Sequence, residues 1–173
     1  LGIPQPALTL DMGASTNVEQ LSFEYDALAF KKVAGQVQDR TTAQTRSVKA
    51  SRSQQMPPLA KRNALKVQGS QDVRQVLPGA IAGLTKAQAG AIAQGTVNRS
   101  SDQVVTGKGE LAVVRYGHLL KARHLVGVRG CGDSYNGLYM VKQVTHLIQR
   151  GEYRQQFTLA REGLDASLPV VRP

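Results

Sequence analysis

The chain has no tryptophan, three phenylalanines, five tyrosines and one cysteine among its 173 residues. With so few aromatic side chains, the predicted core is mostly aliphatic. The single cysteine, Cys131, excludes an internal disulfide and any zinc site built on several cysteines. No apolar run approaches the roughly 20 residues that a membrane-spanning helix needs, and no secretory signal is visible, so no membrane span is predicted. Because the first residue is Leu1 rather than Met, we expect the chain to be a segment of a longer protein.

The net charge of +10 is unevenly distributed along the chain. Residues 1–30 hold four acidic residues and no Lys or Arg, which gives −4, whereas residues 31–74 hold ten basic residues and two acidic ones, which gives +8. Such asymmetry indicates either a nucleic-acid partner or complementary charge between neighbouring copies in an assembly.

Residues 128–164 predict two long β-strands joined by a tight turn. Residues 138–148 are rich in β-branched and aromatic side chains, which favour strands, while Asn136-Gly137 and Arg150-Gly151 favour turns. If Arg150 and Gly151 are the two central turn residues, the antiparallel register follows. The predicted pairs are Gln149–Glu152, Ile148–Tyr153, His146–Gln155, Val144–Phe157 and Lys142–Leu159.

Alternation along these strands sorts the side chains of the hairpin onto two faces. The predicted core face carries Met140, Val144, Ile148, Tyr153, Phe157 and Leu159. The other, mixed face carries Tyr139, Val141, Gln143, Thr145 and Leu147 opposite Arg154, Gln156, Thr158 and Ala160. A slip of one residue would exchange the two faces, so the register is well specified. We expect the mixed face either to be solvated, as in an ordinary antiparallel sheet, or to meet a partner or a wet channel.

Elsewhere the apolar pattern predicts several shorter strands and one helix. Strands are expected at residues 7–10, 18–25, 33–37, 103–106, 110–116 and 125–129, with a hairpin at Lys108-Gly109. The polar run at residues 38–55 indicates an exposed strand or a mobile loop. Thr85 and Gln88 form a capping-box pattern that starts a helix ending near residues 98–101. Its predicted apolar face carries Ala89, Ile92, Ala93, Thr96 and Val97.

No motif of enzymatic chemistry stands out. The three histidines, His118, His124 and His146, lack metal-ligand spacing, and His146 is expected to be a hydrogen-bonded sheet residue opposite Gln155. The Gly-Lys-Gly at residues 107–109 and the Gly-Cys-Gly at residues 130–132 lack the strand–turn–helix frame of nucleotide-binding loops. Glu110, Glu152 and Glu162 have no spacing that predicts a carboxylate pair, so two of them would meet only if the fold happened to bring them together. We therefore predict no catalytic, cofactor-binding or metal-binding residues, no cofactor, and no enzyme.

The segments "GLYMVKQVTH" and "RGEYRQQFTLAREGL" (residues 137–146 and 150–164), with "NVEQLSFEYDALAFKKVAGQVQDRTT" and "SQQMPPLA" (residues 17–42 and 53–60), resemble hub proteins of contractile tails. These are the phage late control protein D family and its relatives in phage-derived contractile injection systems, including VgrG-like spikes. Such hubs are about twice as long as this chain, which resembles their C-terminal half.

The resemblance implies a mainly β (α+β) fold, an antiparallel tube-like β-barrel or sandwich with one helix packed on the sheet. It implies a β-rich segment at residues 1–58, an irregular connector at 59–84, and a helix plus tube-like β-domain at 85–173. By the same resemblance, the chain is a structural baseplate hub that joins the tail tube to the central spike as a homotrimer. Its partners would be the tail tube protein, the central spike protein and other baseplate proteins, in a virion tail or injection particle assembled in the cytoplasm.

Two other functions remain open at this point. The first is a basic nucleic-acid-binding β-domain, although the basic stretch lacks the interleaved aromatic residues that stack on bases. The second is an enzyme domain, which would rest on the three histidines alone.

Overall fold

A computed structural model describes residues 3–26, 28–38, 43–54, 58–63, 74–76 and 84–166. The chain forms two compact units that are interleaved in sequence. The described part of the first, which we call the sheet unit, comprises residues 3–25, 58–63 and 105–166. The described part of the second, the helix unit, comprises residues 26, 28–38, 43–54, 74–76 and 84–104.

The sheet unit is built on a six-stranded sheet with the order β1-β8-β9-β10-β7-β2. The strands are β1 Gln5–Thr9, β2 Gln20–Tyr25, β7 Val105–Ala112, β8 Leu125–Arg129, β9 Gly137–Gln149 and β10 Glu152–Arg161. All neighbours are antiparallel except β1 and β8, which are parallel. A separate pair joins β5 Ala60–Asn63 to β11 Gly163–Ala166. A short 3₁₀ turn, Gly13–Ser15, follows β1.

In the helix unit, β3 Lys31–Gln38 lies between antiparallel β4 Thr45–Ala50 and parallel β6 Arg74–Val76. Helix α1, Lys86–Ser101, packs on β3 and β4. The small side chains of Ala89 and Ala93 are fully buried, which allows a close approach to the sheet. A second, four-residue helix, α2 Val113–Tyr116, follows β7 in the sheet unit.

The prediction of a mainly β fold with one helix packed on a sheet is confirmed. The large sheet is mixed rather than purely antiparallel, because β1 joins it in parallel. Of the two alternatives for residues 38–55, the strand is present, as β4. The boundaries predicted at residues 58 and 84 follow chain order, whereas the two units interleave. Strands β5 and β6 lie within residues 59–84, and residues 64–73 and 77–83 of that connector lie outside the described residues.

The start of α1 follows its sequence signature. Thr85 Oγ1 accepts a hydrogen bond from Gln88 N at 3.3 Å, and Gln88 Oε1 accepts one from Thr85 N at 3.0 Å, so the capping box is confirmed. Ala89, Ala93 and Val97 are buried, as predicted. The placement of Ile92 on the packed face was wrong, because its side chain is 47% exposed. Ile92 lies one step, about 100°, around the helix from Ala93, at the flank of the buried stripe.

The hairpin register is confirmed from the turn as far as the pair Gln143–Thr158. Beyond it, Leu159 pairs with Val141 and not, as predicted, with Lys142. Lys142 is an extra residue in β9, a β-bulge, and one extra residue exchanges the two faces of a strand. Tyr139 and Val141, predicted on the mixed face, are therefore core residues with no exposed surface.

The core face does not extend to the end of the hairpin. Ile148, predicted as a core residue, is 73% exposed, whereas Phe157 and Leu159 are buried as predicted. Residues 143–149 of β9 pair with β10 but not with β8, so Ile148 lies at the edge of the sheet. Strand β8 pairs only with residues 137–140 of β9.

Strand β7 runs unbroken through Lys108-Gly109, so the hairpin predicted there was wrong. The two glycines of this strand provide space for aromatic rings rather than a turn. A Cβ on Gly107 would lie 2.9 Å from a Phe23 ring carbon. One on Gly109 would lie 2.5 Å from the Gln20 carbonyl oxygen and 2.7 Å from the Phe157 ring. Residues 113–116, predicted as strand, form α2 instead.

We predict that Gly109→Ala destabilises the sheet unit by about 1–3 kcal/mol, the usual effect of overpacking, because a main-chain oxygen cannot move away as a side chain can. Gly127→Ala on β8 is the matched control, since its Cβ would meet Ala7 Cβ at an ordinary 3.5 Å. Urea denaturation measures both free energies of unfolding. Equal values for the two variants would contradict the assigned packing.

Candidate functional site in the sheet unit

A continuous polar surface covers one side of strands β2, β7, β9 and β10; we call it the polar face. It surrounds a shallow hollow of about 330 Å³. The hydrophilic residues around the hollow are Gln20, Ser22, Lys108, Glu110, Gln143, Thr145, Gln156 and Thr158. Six of these eight side chains are uncharged amides or hydroxyls, so the surface offers hydrogen bonds to water with little net charge. The hairpin's mixed face contributes its outer half to this surface.

Arg154 organises the charges at one end of the polar face. Its Nη1 donates hydrogen bonds to Glu110 Oε1 at 2.8 Å and Glu19 Oε2 at 2.9 Å, and its Nε donates to Glu152 Oε1 at 2.5 Å. The hydrogen bonds from Arg154 and then Gln156 hold the pKa of the Glu110 carboxyl below its ordinary value. The three carboxylates in turn raise the pKa of Arg154. This cluster links β7 and β10 to Glu19, the residue that precedes β2.

On the opposite side of the sheet, the fully buried Gln155 fastens a loop to β10. Its Oε1 accepts a hydrogen bond from Leu120 N at 2.9 Å, and its Nε2 donates one to Leu120 O at 3.1 Å. The same Nε2 lies 3.3 Å from His146 Nδ1, which is 2.6 Å from the Tyr153 hydroxyl. His146 thus pairs with Gln155 across the strands and hydrogen-bonds within the sheet, as predicted.

A second amide clamp holds the adjacent residue of the same loop. Gln5 Nε2 donates to Lys121 O at 3.0 Å, and Gln5 Oε1 accepts from Lys121 N at 2.7 Å. The Tyr116 hydroxyl donates to Pro6 O at 2.7 Å, and burial raises the pKa of this phenol to about 12. These bonds join the start of β1, α2 and residues 117–124 into one supported surface.

Two buried charged residues, Arg161 and Glu162, bind main-chain groups of other segments at the C-terminal end of β10. Arg161 donates to the carbonyls of Gly163 at 2.7 Å, Asn136 at 2.8 Å and Ser134 at 2.5 Å, and its guanidinium stacks 4.4 Å above the Tyr139 ring. Burial lowers the pKa of Arg161 from its ordinary value. Glu162 Oε1 accepts from the amides of Leu59, at 2.5 Å, and Ala60, at 3.0 Å. Sequence reasoning missed both roles.

The residues weighed for chemistry do not converge. His118 stacks edge-on to Tyr116, and His124 Nδ1 is 3.0 Å from Ala122 O. Burial, followed by the charge of Asp11, raises the pKa of the Cys131 thiol to about 11, which disfavours the nucleophilic thiolate. Glu110 and Glu152 do meet, at Arg154, but Glu162 is bound elsewhere. Among the described residues no group of His, Cys, Asp and Glu has the arrangement of a metal site.

The described helices include none that is long and apolar enough to cross a membrane.

The lowered pKa of Glu110 predicts a pH-dependent contribution to stability. Because the folded-state pKa is depressed, the stabilisation is present above the ordinary value of 4.5 and is lost as the pH falls through the folded-state pKa. Relative to Glu110→Gln, the wild-type chain should be more stable at pH 7 and should lose that advantage progressively as the pH falls below 4.5. Urea denaturation across this pH range measures the difference. A difference between the two chains that stays constant across this pH range would contradict the assigned ion pair.

Replacing Gln155 tests the clamp on residues 117–124. Gln155→Leu keeps the volume but leaves Leu120 N and O without their partner, at a cost of about 1–3 kcal/mol for each buried group left unsatisfied. Hydrogen exchange of the Leu120 amide should accelerate, and the free energy of unfolding should fall. Gln156→Leu, an exposed neighbour on the polar face, is the control. Unchanged exchange at Leu120 would contradict the clamp.

Comparison with known proteins identifies a fold. No protein-family model matches the chain, and neither does any curated protein. Two solved structures align over nearly all of it. The tail protein from Neisseria meningitidis MC58 aligns with 94% of this chain and 46% of its own, at 14% identity and a TM-score of 0.58. The 43 kDa tail protein of prophage MuSo2 from Shewanella oneidensis aligns with 92% of this chain and 44% of its own, at 13% identity and a TM-score of 0.55.

The chain thus spans less than half the length of either tail protein. A component of a native gene transfer agent virion aligns with 99% of the chain at 13% identity, but its TM-score of 0.47 is too low to establish a shared fold. Each of the two alignments to the tail proteins therefore includes residues of both units. The chain has the fold of phage tail proteins.

Proposed function

We propose that this chain is a structural subunit of the hub of a contractile phage tail or of a phage-derived contractile injection system, where it joins the tail tube to the central spike. The observation that carries the proposal is the polar face in a chain with a tail-protein fold. Four adjacent strands present amides and hydroxyls on one side while their other side contributes to the core. A sheet of this kind suits the lining of a water-filled channel or a wet contact with a neighbouring subunit.

The edges of the same four strands support assembly from several copies. Strand β2 is the outer strand at one end of the large sheet. Within the described parts of the chain, residues 143–149 of β9 pair with β10 on one side only. Exposed strand edges present unpaired main-chain groups that another chain can cover. The proposed assembly is a homotrimer that contacts the tail tube protein, the central spike protein and other baseplate proteins, in a particle assembled in the cytoplasm.

In this proposal the chain acts by shape and contact, not as an enzyme. Its task would be to hold a ring geometry, and side chains with altered pKa values serve that end: Arg154 and Glu110 tie strands together, and Arg161 ties loops to the sheet. None of these groups lies with a nucleophile and a base in a shared cleft, which acyl or phosphoryl transfer would need.

Electron microscopy of assembled particles tests the proposed location. A small tag would be placed after Arg150 at the hairpin turn, and a tagged tube protein would serve as the control. We expect density for the tagged chain at one end of the tube with threefold symmetry, whereas the control should be labelled along the whole tube. Density distributed along the tube, or particles without the chain, would refute the hub assignment.

The nucleic-acid alternative has one favourable observation, the exposed Arg46, Lys49 and Arg52 on and after β4. Against it, Phe30 is the aromatic residue in the described part of the helix unit, and it is buried, so base stacking has no platform there. Filter binding to DNA and RNA at two salt concentrations separates the alternatives. Binding that weakens steeply with salt would favour this second function.

A further inference from the structure

The outer half of β9 has a main-chain edge that nothing in the described chain covers. Residues 143–149 pair with β10 on one side, whereas β8 and residues 123–124 reach β9 only as far as Val141. We call residues 143–149 the free edge. The side chains along it are exposed except that of Val144, which is half-buried, and Ile148 is 73% exposed. Such an edge presents N–H and C=O groups that another strand can bind.

The tight turn of the hairpin determines which main-chain groups point outward. Arg150 and Gly151 are the two central turn residues, so Gln149 and Glu152 form a hydrogen-bonded pair. Alternate residues then bond to β10, and the residues between them point their N–H and C=O groups away from it. The outward residues of the free edge are therefore Val144, His146 and Ile148.

The other end of the free edge gives the same assignment. On the side of β9 away from β10, Val141 N donates to His124 O at 3.0 Å, and Val141 O accepts from Arg123 N at 2.7 Å. The extra residue at Lys142 shifts the alternation by one position. Counting onward from Val141, the next outward residue is Val144, as the turn requires.

The composition of the free edge is that of a strand that pairs with copies of itself. Residues 143–149 read QVTHLIQ and contain no Asp, Glu, Lys, Arg, Pro or Gly. Short uncharged runs of strand-forming residues favour self-pairing, and natural edges are usually protected from it by Lys or Pro within the strand. Here the nearest cations, Lys142 and Arg150, lie just outside the run.

The free edge is also self-complementary in register. In an antiparallel pair with a second copy, a two-fold axis at His146 places each His146 opposite its counterpart and each Val144 opposite the Ile148 of the other copy. Every outward residue then faces an outward residue, and each facing pair exchanges main-chain hydrogen bonds. The same register covers the exposed Ile148 with Val144, a contact between β-branched side chains that stabilises paired strands.

We propose that the free edge binds the free edge of a second copy, so that two chains form a two-fold dimer with one continuous sheet. A contact in which the same surface serves both copies closes on itself and is the commonest kind in soluble oligomers. The inference goes beyond the proposed hub function and does not rest on it. A two-fold pair is distinct from a threefold ring, so the dimer is the form of the chain outside the particle.

Strand β2 of a second copy is the competing occupant of the free edge. It is the outer strand at one end of the large sheet, but it carries the exposed Glu24 and is a different surface from the free edge. Pairing of two different surfaces leaves one of each unused, so copies would add repeatedly into rings or filaments. A closed dimer distinguishes the two-fold contact from this alternative.

Replacement of Ile148 tests the contact. Ile148→Lys places a charge within the run, and Ile148→Pro deletes an outward N–H that β10 does not use, so the hairpin keeps its own bonds. Val114→Lys is the matched control, because it adds the same charge at another exposed apolar residue. Sedimentation velocity over a range of concentrations measures association, and circular dichroism verifies that each variant is folded.

We expect the wild-type chain and Val114→Lys to form dimers, and both Ile148 variants to raise the dissociation constant about tenfold or more. The dimer should strengthen with added salt, because the proposed register places Lys142 of one copy near Arg150 of the other and salt screens their repulsion.

Cysteine cross-linking tests the register in chains that keep Ile148. In a Cys131→Ser background, Gln143→Cys and Gln149→Cys are prepared separately and then mixed under mild oxidation. The register places residue 143 of one copy directly opposite residue 149 of the other, whereas two residues 143 lie about 20 Å apart. We therefore expect a disulfide-linked dimer from the mixture and none from either variant alone.

Four results would overturn the proposal. They are a monomeric wild-type chain at every concentration, rings or filaments in place of dimers, a dissociation constant that the Ile148 variants leave unchanged or that rises with salt, and cross-linking that is absent from the mixture or equally strong in a single variant. Particle labelling judges the hub separately, because the dimer is measured on the free chain.

Discussion

The bulge at Lys142 is the constraint on which the sheet unit depends. It allows Tyr139 and Val141 to enter the core on one side of the bulge, while Val144, His146 and Ile148 continue on the same side of the sheet beyond it. Without the extra residue, the aromatic and aliphatic side chains at the start of β9 would point to the polar face. One main-chain irregularity thus keeps the apolar side chains before and after Lys142 on the same side of the sheet.

Buried polar side chains then attach the loops to this sheet. Gln155, Arg161 and Glu162 lie on or just after β10, and each binds main-chain groups of a segment distant in sequence. A buried polar atom is tolerated only where its hydrogen bonds are made, so these residues specify where each loop lies. Strand β10 is therefore central to the unit: one side of it supports the polar face, and the other side holds Leu120 through Gln155.

The sequence pattern was sufficient to predict those features that depend on residues close together in the chain. The turn at Arg150-Gly151, the register up to Gln143–Thr158 and the capping box at Thr85 all follow from neighbouring residues. The sequence pattern gave the wrong prediction at Lys108-Gly109. Glycine favours turns in isolation, but here Gly107 and Gly109 leave room for the rings of Phe23 and Phe157, which lie on two other strands, because glycine has no Cβ. Polar residues in a strand usually indicate a face that is exposed to solvent, so nothing in the local pattern predicted that Gln155 or Arg161 would be buried. Their unusual feature is a long polar side chain at a core-facing position of β10.

The amino-acid sequence by itself determined the β-rich character, the hairpin turn, the helix start and the uneven charge, because each depends on the conformational preference or ionisation of residues close together in the chain. Tertiary structure alone decided the bulge, the unbroken β7 and the gathering of Glu19, Glu110 and Glu152 around Arg154. It also decided that Gln5 and Gln155 hold the main chain of Lys121 and Leu120. These features depend on which side chains compete for the same space and the same hydrogen bonds, and such competition arises only when distant segments meet.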